Sequence, residues 1–223
     1  MIVYLLPILA VCIGFAIAYF LKRSQLTSIK LLLAFSGAYL LSLTVFEFFP
    51  EVYTHDNKQV GLFIMIGILL QILLEFLSKG AEHGHIHHHE DHKSFPFVLF
   101  ISLSIHSLLE GFPLHDHDTL LYGVVIHKVP IAIILSTFLL KANFSKVRIT
   151  LFLILFALMT PLGSLLQAKV AYFSTIAVYI NALVIGIFLH VSTTILFETG
   201  NNHKFNATKL VAIILGIGIA YLL

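Results

Sequence analysis

The chain alternates long apolar runs with short polar breaks, and this pattern sets its architecture. Ile149 to Leu158 is an almost continuous run of Leu, Ile and Phe with no alternation of polar and apolar positions. A lipid-facing barrel strand would alternate over about ten residues, so the run reads as helix. Crossing a hydrocarbon core about 30 Å thick takes about 20 mostly apolar residues in a helix. Eight segments meet that need: 2 to 21, 29 to 49, 60 to 78, 95 to 114, 119 to 140, 149 to 167, 172 to 197 and 207 to 223. The pattern predicts an all-α integral membrane protein, an eight-transmembrane-helix bundle, because lipid offers the backbone no hydrogen-bond partners. The whole chain, 1 to 223, reads as a single transmembrane domain. Its longest break, 79 to 94, forms a loop between helices 3 and 4.

Composition agrees with this picture and narrows it. Of 223 residues, 59% are hydrophobic and 11% charged, against about 25% charged in soluble domains. A soluble domain is excluded, and a net charge of +2 is too small for a nucleic-acid partner. The single Cys, Cys12, rules out a disulfide framework or a Cys-based metal site. The breaks after segments 1, 3, 5 and 7 carry ten Lys and Arg, and those after 2, 4 and 6 carry only Lys58 and Lys169. Basic loops stay cytoplasmic, so both termini are expected outside. No basic stretch precedes the first apolar run and no clear small-residue cleavage site follows it, so it reads as a retained helix rather than a signal peptide. Short loops lean towards a bacterial inner (plasma) membrane.

Histidine is the compositional oddity, with 13 His against 11 acids. The cytoplasmic break reads SKGAEHGHIHHHEDHK and holds His83, His85, His87, His88, His89 and His92 among Glu82, Glu90 and Asp91. Imidazole and carboxylate together suit Zn²⁺ and neighbouring divalent ions, which makes the loop an auxiliary metal binder or a solvated linker. On the outer side, His115, Asp116, His117 and Asp118 lie between segments 4 and 5. They form either an attractor for cations or a plain polar turn.

The informative residues are those that do not belong in lipid. An ionisable group at the centre of a span costs about 2.5 to 3.5 kcal/mol on insertion scales. His106 and Glu110 are four apart in segment 4 and share one helix face, with Ser102 a turn back. His127 and Lys128 lie in segment 5. His106 is eight residues from Leu114 and His127 eight from Thr119, which puts each about 12 Å below the outer boundary, near the midplane. Two antiparallel neighbours would then bring two imidazoles to one level, with Glu110 a turn nearer the outside. Pro113 and Pro130 should free the carbonyls of Leu109 and Ile126 and kink the helices beside these ligands. A polar cluster that only ties helices together is the competing explanation. Such bonds average about 0.6 kcal/mol, too little to offset several buried ionisable groups. For His190 in segment 7, and for Glu75 and Gln71 in segment 3, structural and functional explanations stand level. Glu47, three residues before Pro50, is a second-line candidate.

His106-Ser-Leu-Leu-Glu110-Gly111 and His127-Lys-Val-Pro130 resemble the paired motifs of the ZIP (Zrt-, Irt-like) family of divalent metal transporters. Phe46 to Glu51, Thr160-Pro161-Leu162-Gly163 and Gly186 to Val191 resemble the second, sixth and seventh helices of that family. The resemblance implies metal moving from outside to cytoplasm, with helices 4 and 5 holding the transport site. Residue by residue, His106, Glu110 and His127 fall on metal-binding positions. Ser107, Glu47 and His190 are second-line metal or pathway residues. Family members with a two-metal centre carry Asn and an acid where this chain has Ser107 and Lys128. Ile131 stands where many have a second acid, and Glu47 where a His is common. A protonated lysine repels a cation, so one transport metal is expected, with Lys128 replacing the second.

The reading is therefore a divalent cation uptake transporter and not an enzyme. Zn²⁺ is the foremost cargo, and His and Glu do not exclude Fe²⁺ or Mn²⁺. Proton competition at the two His is expected near their ordinary pKa of about 6.5. Rival readings are an intramembrane metal-dependent hydrolase, for which no HExxH is present, and a non-transporting zinc sensor. The partners expected are divalent ions and the lipid bilayer, with no nucleic acid. A homodimer and elevator-like motion are implied by the resemblance alone.

Overall fold

A computed structural model describes residues 1–20, 26–53, 58–78, 80, 96–142, 144–198 and 207–223. The six loop histidines from His83 to His92, and the loop bases Lys22, Arg23, Lys79, Lys93 and Lys204, lie outside the described residues. Among the described residues every regular element is helical. The main helices are α1 (Ile2–Phe20), α2 (Leu26–Leu43), α3 (Lys58–Ser78), α4 (Phe97–Gly111), α5 (Asp118–Lys141), α6 (Lys146–Lys169), α7 (Ala177–Glu198) and α8 (Ala207–Leu222). Seven are long and apolar enough to cross a membrane, α2 counting with its continuation to Val52, and α8 is a shorter apolar helix.

Local sequence explains several of the helix ends. Ser145 caps α6 by accepting the Arg148 backbone N–H on its hydroxyl, leaving one fewer orphan donor at that end. Pro113 has no N–H to continue α4, so the chain tightens at Gly111 and leaves through a 3₁₀ turn, Pro113–His115. Pro50 also interrupts the backbone ladder of its helix, α2, with the opposite change of pitch. The turn before it widens into a π-helical segment, Thr44–Phe48, which hands the chain to a closing turn at Phe49–Val52.

Lipid tails are as apolar as leucine, so the hydrophobic effect does little to bring these helices together, and close backbone contact has to do more. Gly67 of α3 sits on the Leu183 carbonyl of α7, and Gly186 of α7 on the Ile64 carbonyl of α3. Gly111 of α4 meets the Thr160 carbonyl of α6 in the same way, and Gly163 of α6 meets that of Leu108. A Cβ at any of these four positions would overlap backbone. Helix α1 packs along α5, α8 along α2, and α2 touches both α5 and α7. Although α4 and α5 are consecutive, they do not pack along their lengths. The side-by-side arrangement expected from sequence is replaced by α4 on α6 and α3, and α5 on α1 and α2. Only side chains can then join α4 to α5 at depth.

Candidate functional site

The glycine seat between α4 and α6 fixes the first part of the site. Because Gly111 lies against the Thr160 carbonyl, the Thr160 hydroxyl reaches Glu110 Oε1 and donates at 2.7 Å. Ser107, a turn before Glu110 on α4, donates to the same oxygen at 3.2 Å and lies 3.0 Å from Thr160 Oγ1. The third donor is the Lys128 ammonium of α5, which ion-pairs with Glu110 Oε1 and donates to Ser107 Oγ at 2.8 Å. Lys128 also sits 5.0 Å from the centre of the Phe156 ring, a cation–π contact on α6. A lone carboxylate buried at 2% exposure would carry a large desolvation penalty, and the ammonium offsets it.

All these donors fall on one carboxylate oxygen. The other, Oε2, faces His106 Nε2 at 3.5 Å, too far for a hydrogen bond. On its far side the imidazole is held by Gln71 of α3, with Nδ1 3.0 Å from Gln71 Oε1. The amide oxygen accepts from Nδ1–H, which leaves Nε2 as the ring atom turned towards Glu110. Holding one ring nitrogen to orient the other is how proteins aim a metal-ligating histidine. Two donors about 2.0–2.1 Å from a tetrahedral Zn²⁺ stand roughly 3.3 Å apart. The 3.5 Å gap between Nε2 and Oε2 matches that bite.

A sequence profile described as "ZIP Zinc transporter" matches residues 80–223. The chain belongs to the ZIP zinc transporter family. Two relatives agree: "Zinc transporter ZIP1" of Danio rerio is 33% identical over 90 residues, 37% of this chain and 30% of that protein. "Protein zntD" of Dictyostelium discoideum is 26% identical over 164 residues, 64% of this chain and 24% of that protein. The aligned regions thus span less than a third of either relative's length. The ZIP match takes in α4 to α8 and every residue of the network except Gln71.

Other expected site residues of this ZIP chain fall in different places. His127 is buried at 2% exposure on α5 beside Lys128. It does not complete a cluster, since no three His, Cys, Asp or Glu side chains among the described residues are grouped to hold one metal ion. The Leu109 carbonyl, expected to be bared by Pro113, accepts the Phe112 N–H at 3.2 Å in the tightened turn. His190 of α7 pairs with Glu75 of α3 instead, Nε2 to Oε2 at 2.6 Å.

Glu47 lies in the π-helical segment and accepts from Thr119 Oγ1 at the start of α5. It helps line a cavity of about 220 Å³ with Glu51, Asp116, His117 and Asp118, where His117 Nδ1 is 3.3 Å from Glu51 Oε2. His115 is exposed beside it. Sequence reasoning did not give Thr160, Phe156 or Gln71 their contacts with the site. Thr160 stands in a quoted motif and Gln71 is a polar residue in an apolar run, but the helix each would meet is a matter of tertiary packing.

Proposed function

We propose that this chain is a divalent metal cation uptake transporter with zinc as its cargo, moving ions from the outer side into the cytoplasm. The 3.5 Å bite between His106 Nε2 and Glu110 Oε2 carries the reading, with Lys128, Ser107 and Thr160 gathered on the other carboxylate oxygen. His106, Glu110 and His127 hold the transported ion, and His127 closes on it from α5 when the ion arrives. Water fills the fourth position, because a transport site must also release its ion. Lys128 stands in for a second metal, so one ion moves per cycle. The outer cavity at Glu47, Glu51 and Asp116 collects cations by attraction.

The loop bases, ten to two in favour of one side, support eight spans with both ends outside. The loop from 79 to 94 then faces the cytoplasm, where its histidines receive the ion. A bacterial inner membrane and a homodimer complete the proposal. Purified full-length protein in liposomes containing a zinc-sensitive dye tests it. Saturable zinc uptake absent from empty liposomes, with Fe²⁺ and Mn²⁺ as competitors, supports the reading. No uptake by correctly inserted protein overturns it.

A further inference from the structure

A carrier whose site opens to the two sides in turn has to bring that site back empty. In this chain the empty site is a carboxylate, Glu110, at 2% exposure inside the bundle. An unpaired carboxylate in such surroundings is strongly disfavoured. While zinc is bound, the ion answers that charge, and after release another group has to.

Lys128 can do so without competing for the ion. Its ammonium pairs with Glu110 Oε1, donates to Ser107 Oγ at 2.8 Å and lies 5.0 Å from the centre of the Phe156 ring. Oε2 is left to the proposed metal position beside His106 Nε2. The same three contacts can therefore hold the ammonium in the loaded and in the empty site. Carboxylate and ammonium cancel when the site is empty, and the loaded pair adds only the charge of the ion.

A tie between helices does not by itself account for a charge here. Gly111 and Gly163 seat α4 on α6, and a Cβ on Gly14 of α1 would overlap Ala132 of α5. Helix α1 also packs along α6, so α4 and α5 belong to one connected set of helices apart from the bridge. Replacing a buried ion pair by apolar side chains of similar volume is often neutral or stabilising. Retaining the ammonium therefore favours a use for its charge.

We infer that Lys128 is the counter-charge of the return stroke: it neutralises Glu110 in the empty site, so the carrier resets with no co-transported ion. Each cycle then moves the two charges of the zinc ion and no others. Lys128 acts through Glu110 and does not touch the ion. The inference rests on the transport reading. Its rival is a proton that Glu110 takes up on the inner side and carries out, which would leave one net charge per zinc ion.

Two measurements on the full chain in liposomes test it. The first uses the unaltered protein without a pH gradient, with potassium and valinomycin setting the potential. A tenfold higher zinc concentration inside should be held at about 30 mV, inside negative, for two charges per ion, against about 60 mV for one. A balance near the higher value that shifts with an imposed pH gradient overturns the inference.

The second compares net uptake into zinc-free liposomes with entry of labelled zinc into liposomes preloaded with unlabelled zinc. Exchange never requires the empty site to cross. In Lys128→Met, net uptake should fall on the order of a hundredfold, while exchange falls no more than about tenfold as release slows. Lys128→Arg keeps the charge and should bring the two rates back together. A purely structural lysine would lower both rates by the same factor, and that result overturns the inference while leaving the transport reading intact. Neither uptake nor exchange by correctly inserted unaltered protein overturns both. Should Lys128→Met fail to fold, the balance potential of the unaltered protein decides between the ammonium and the proton.

Discussion

The Lys128 ammonium of α5 and the Glu110 carboxylate of α4 form a salt bridge where the side chains are only 3% and 2% exposed. The two helices do not pack along their lengths, so this bridge, with the Lys128–Ser107 hydrogen bond, ties them at depth. The bridge also sets a positive charge beside the proposed metal position. That charge orients Glu110 and at the same time weakens its attraction for a cation.

Replacing the lysine separates these effects. Lys128→Met leaves a buried carboxylate without its counter-ion, and removing one partner of a buried pair costs about 3–5 kcal/mol. Protonation of Glu110 relieves part of that, so a loss near the lower end is expected in thermal unfolding without metal. Zinc should restore much of the stability. Zinc affinity should rise on the order of tenfold, since repulsion by the ammonium is gone. Maximal uptake should fall as release slows.

In the proposed transport site Gln71 reaches the ion only through His106. Gln71→Leu frees Nδ1 and lets the ring turn away from Glu110. Loss of such a supporting hydrogen bond typically weakens metal binding by about 10–100-fold. The expected result is a raised KM for zinc uptake with little change at saturating zinc. A normal KM would show that the ring needs no such support.

The pairing of His106 with Glu110 was legible in the sequence because four-residue spacing in a helix dictates it, whichever helices surround it. The seven long apolar helices were legible for a similar reason, since an apolar run has to match the membrane's thickness. Gln71, Thr160 and Phe156 were not, because their roles depend on α3 and α6 rather than α5 lying against α4. The expectation that α4 and α5 pack as neighbours treated adjacency in sequence as adjacency in space. The signal against it was present in the glycines. Gly111 and Gly163 mark backbones that must approach closely, but a glycine does not name its partner. Pro113 ends α4 rather than kinking it, and the Leu109 carbonyl that a kink would bare accepts the Phe112 N–H in the tightened last turn.

The glycine seat can be tested against an internal control. Gly111→Ala drives a methyl group into the Thr160 carbonyl, forcing α4 and α6 apart and disturbing the Thr160–Glu110 bond. Overpacking of this kind costs about 1–3 kcal/mol. A lower unfolding temperature and weaker zinc uptake should follow. Gly218→Ala in α8 meets nothing within 4 Å and should match the parent in both measurements.

The outer cavity should act through long-range attraction. Asp116→Asn together with Asp118→Asn removes two charges from its rim. KM for zinc should rise a few-fold at low ionic strength. The difference should shrink towards 0.15 M salt, where the Debye length is about 8 Å. A salt-independent difference would point to direct ligation instead.

In the proposed transport cycle the ion passes between His106 Nε2 and Glu110 Oε2. The most direct test is initial zinc uptake into liposomes at matched protein incorporation, comparing the parent with His106→Ala and with Glu110→Gln. Glu110→Gln keeps the shape and the Thr160 hydrogen bond while removing the charge. Saturable uptake by the parent and loss of nearly all of it in both variants are expected, with each variant still folded by its thermal unfolding profile. Parent-like uptake in both would contradict this and place the path elsewhere in the bundle.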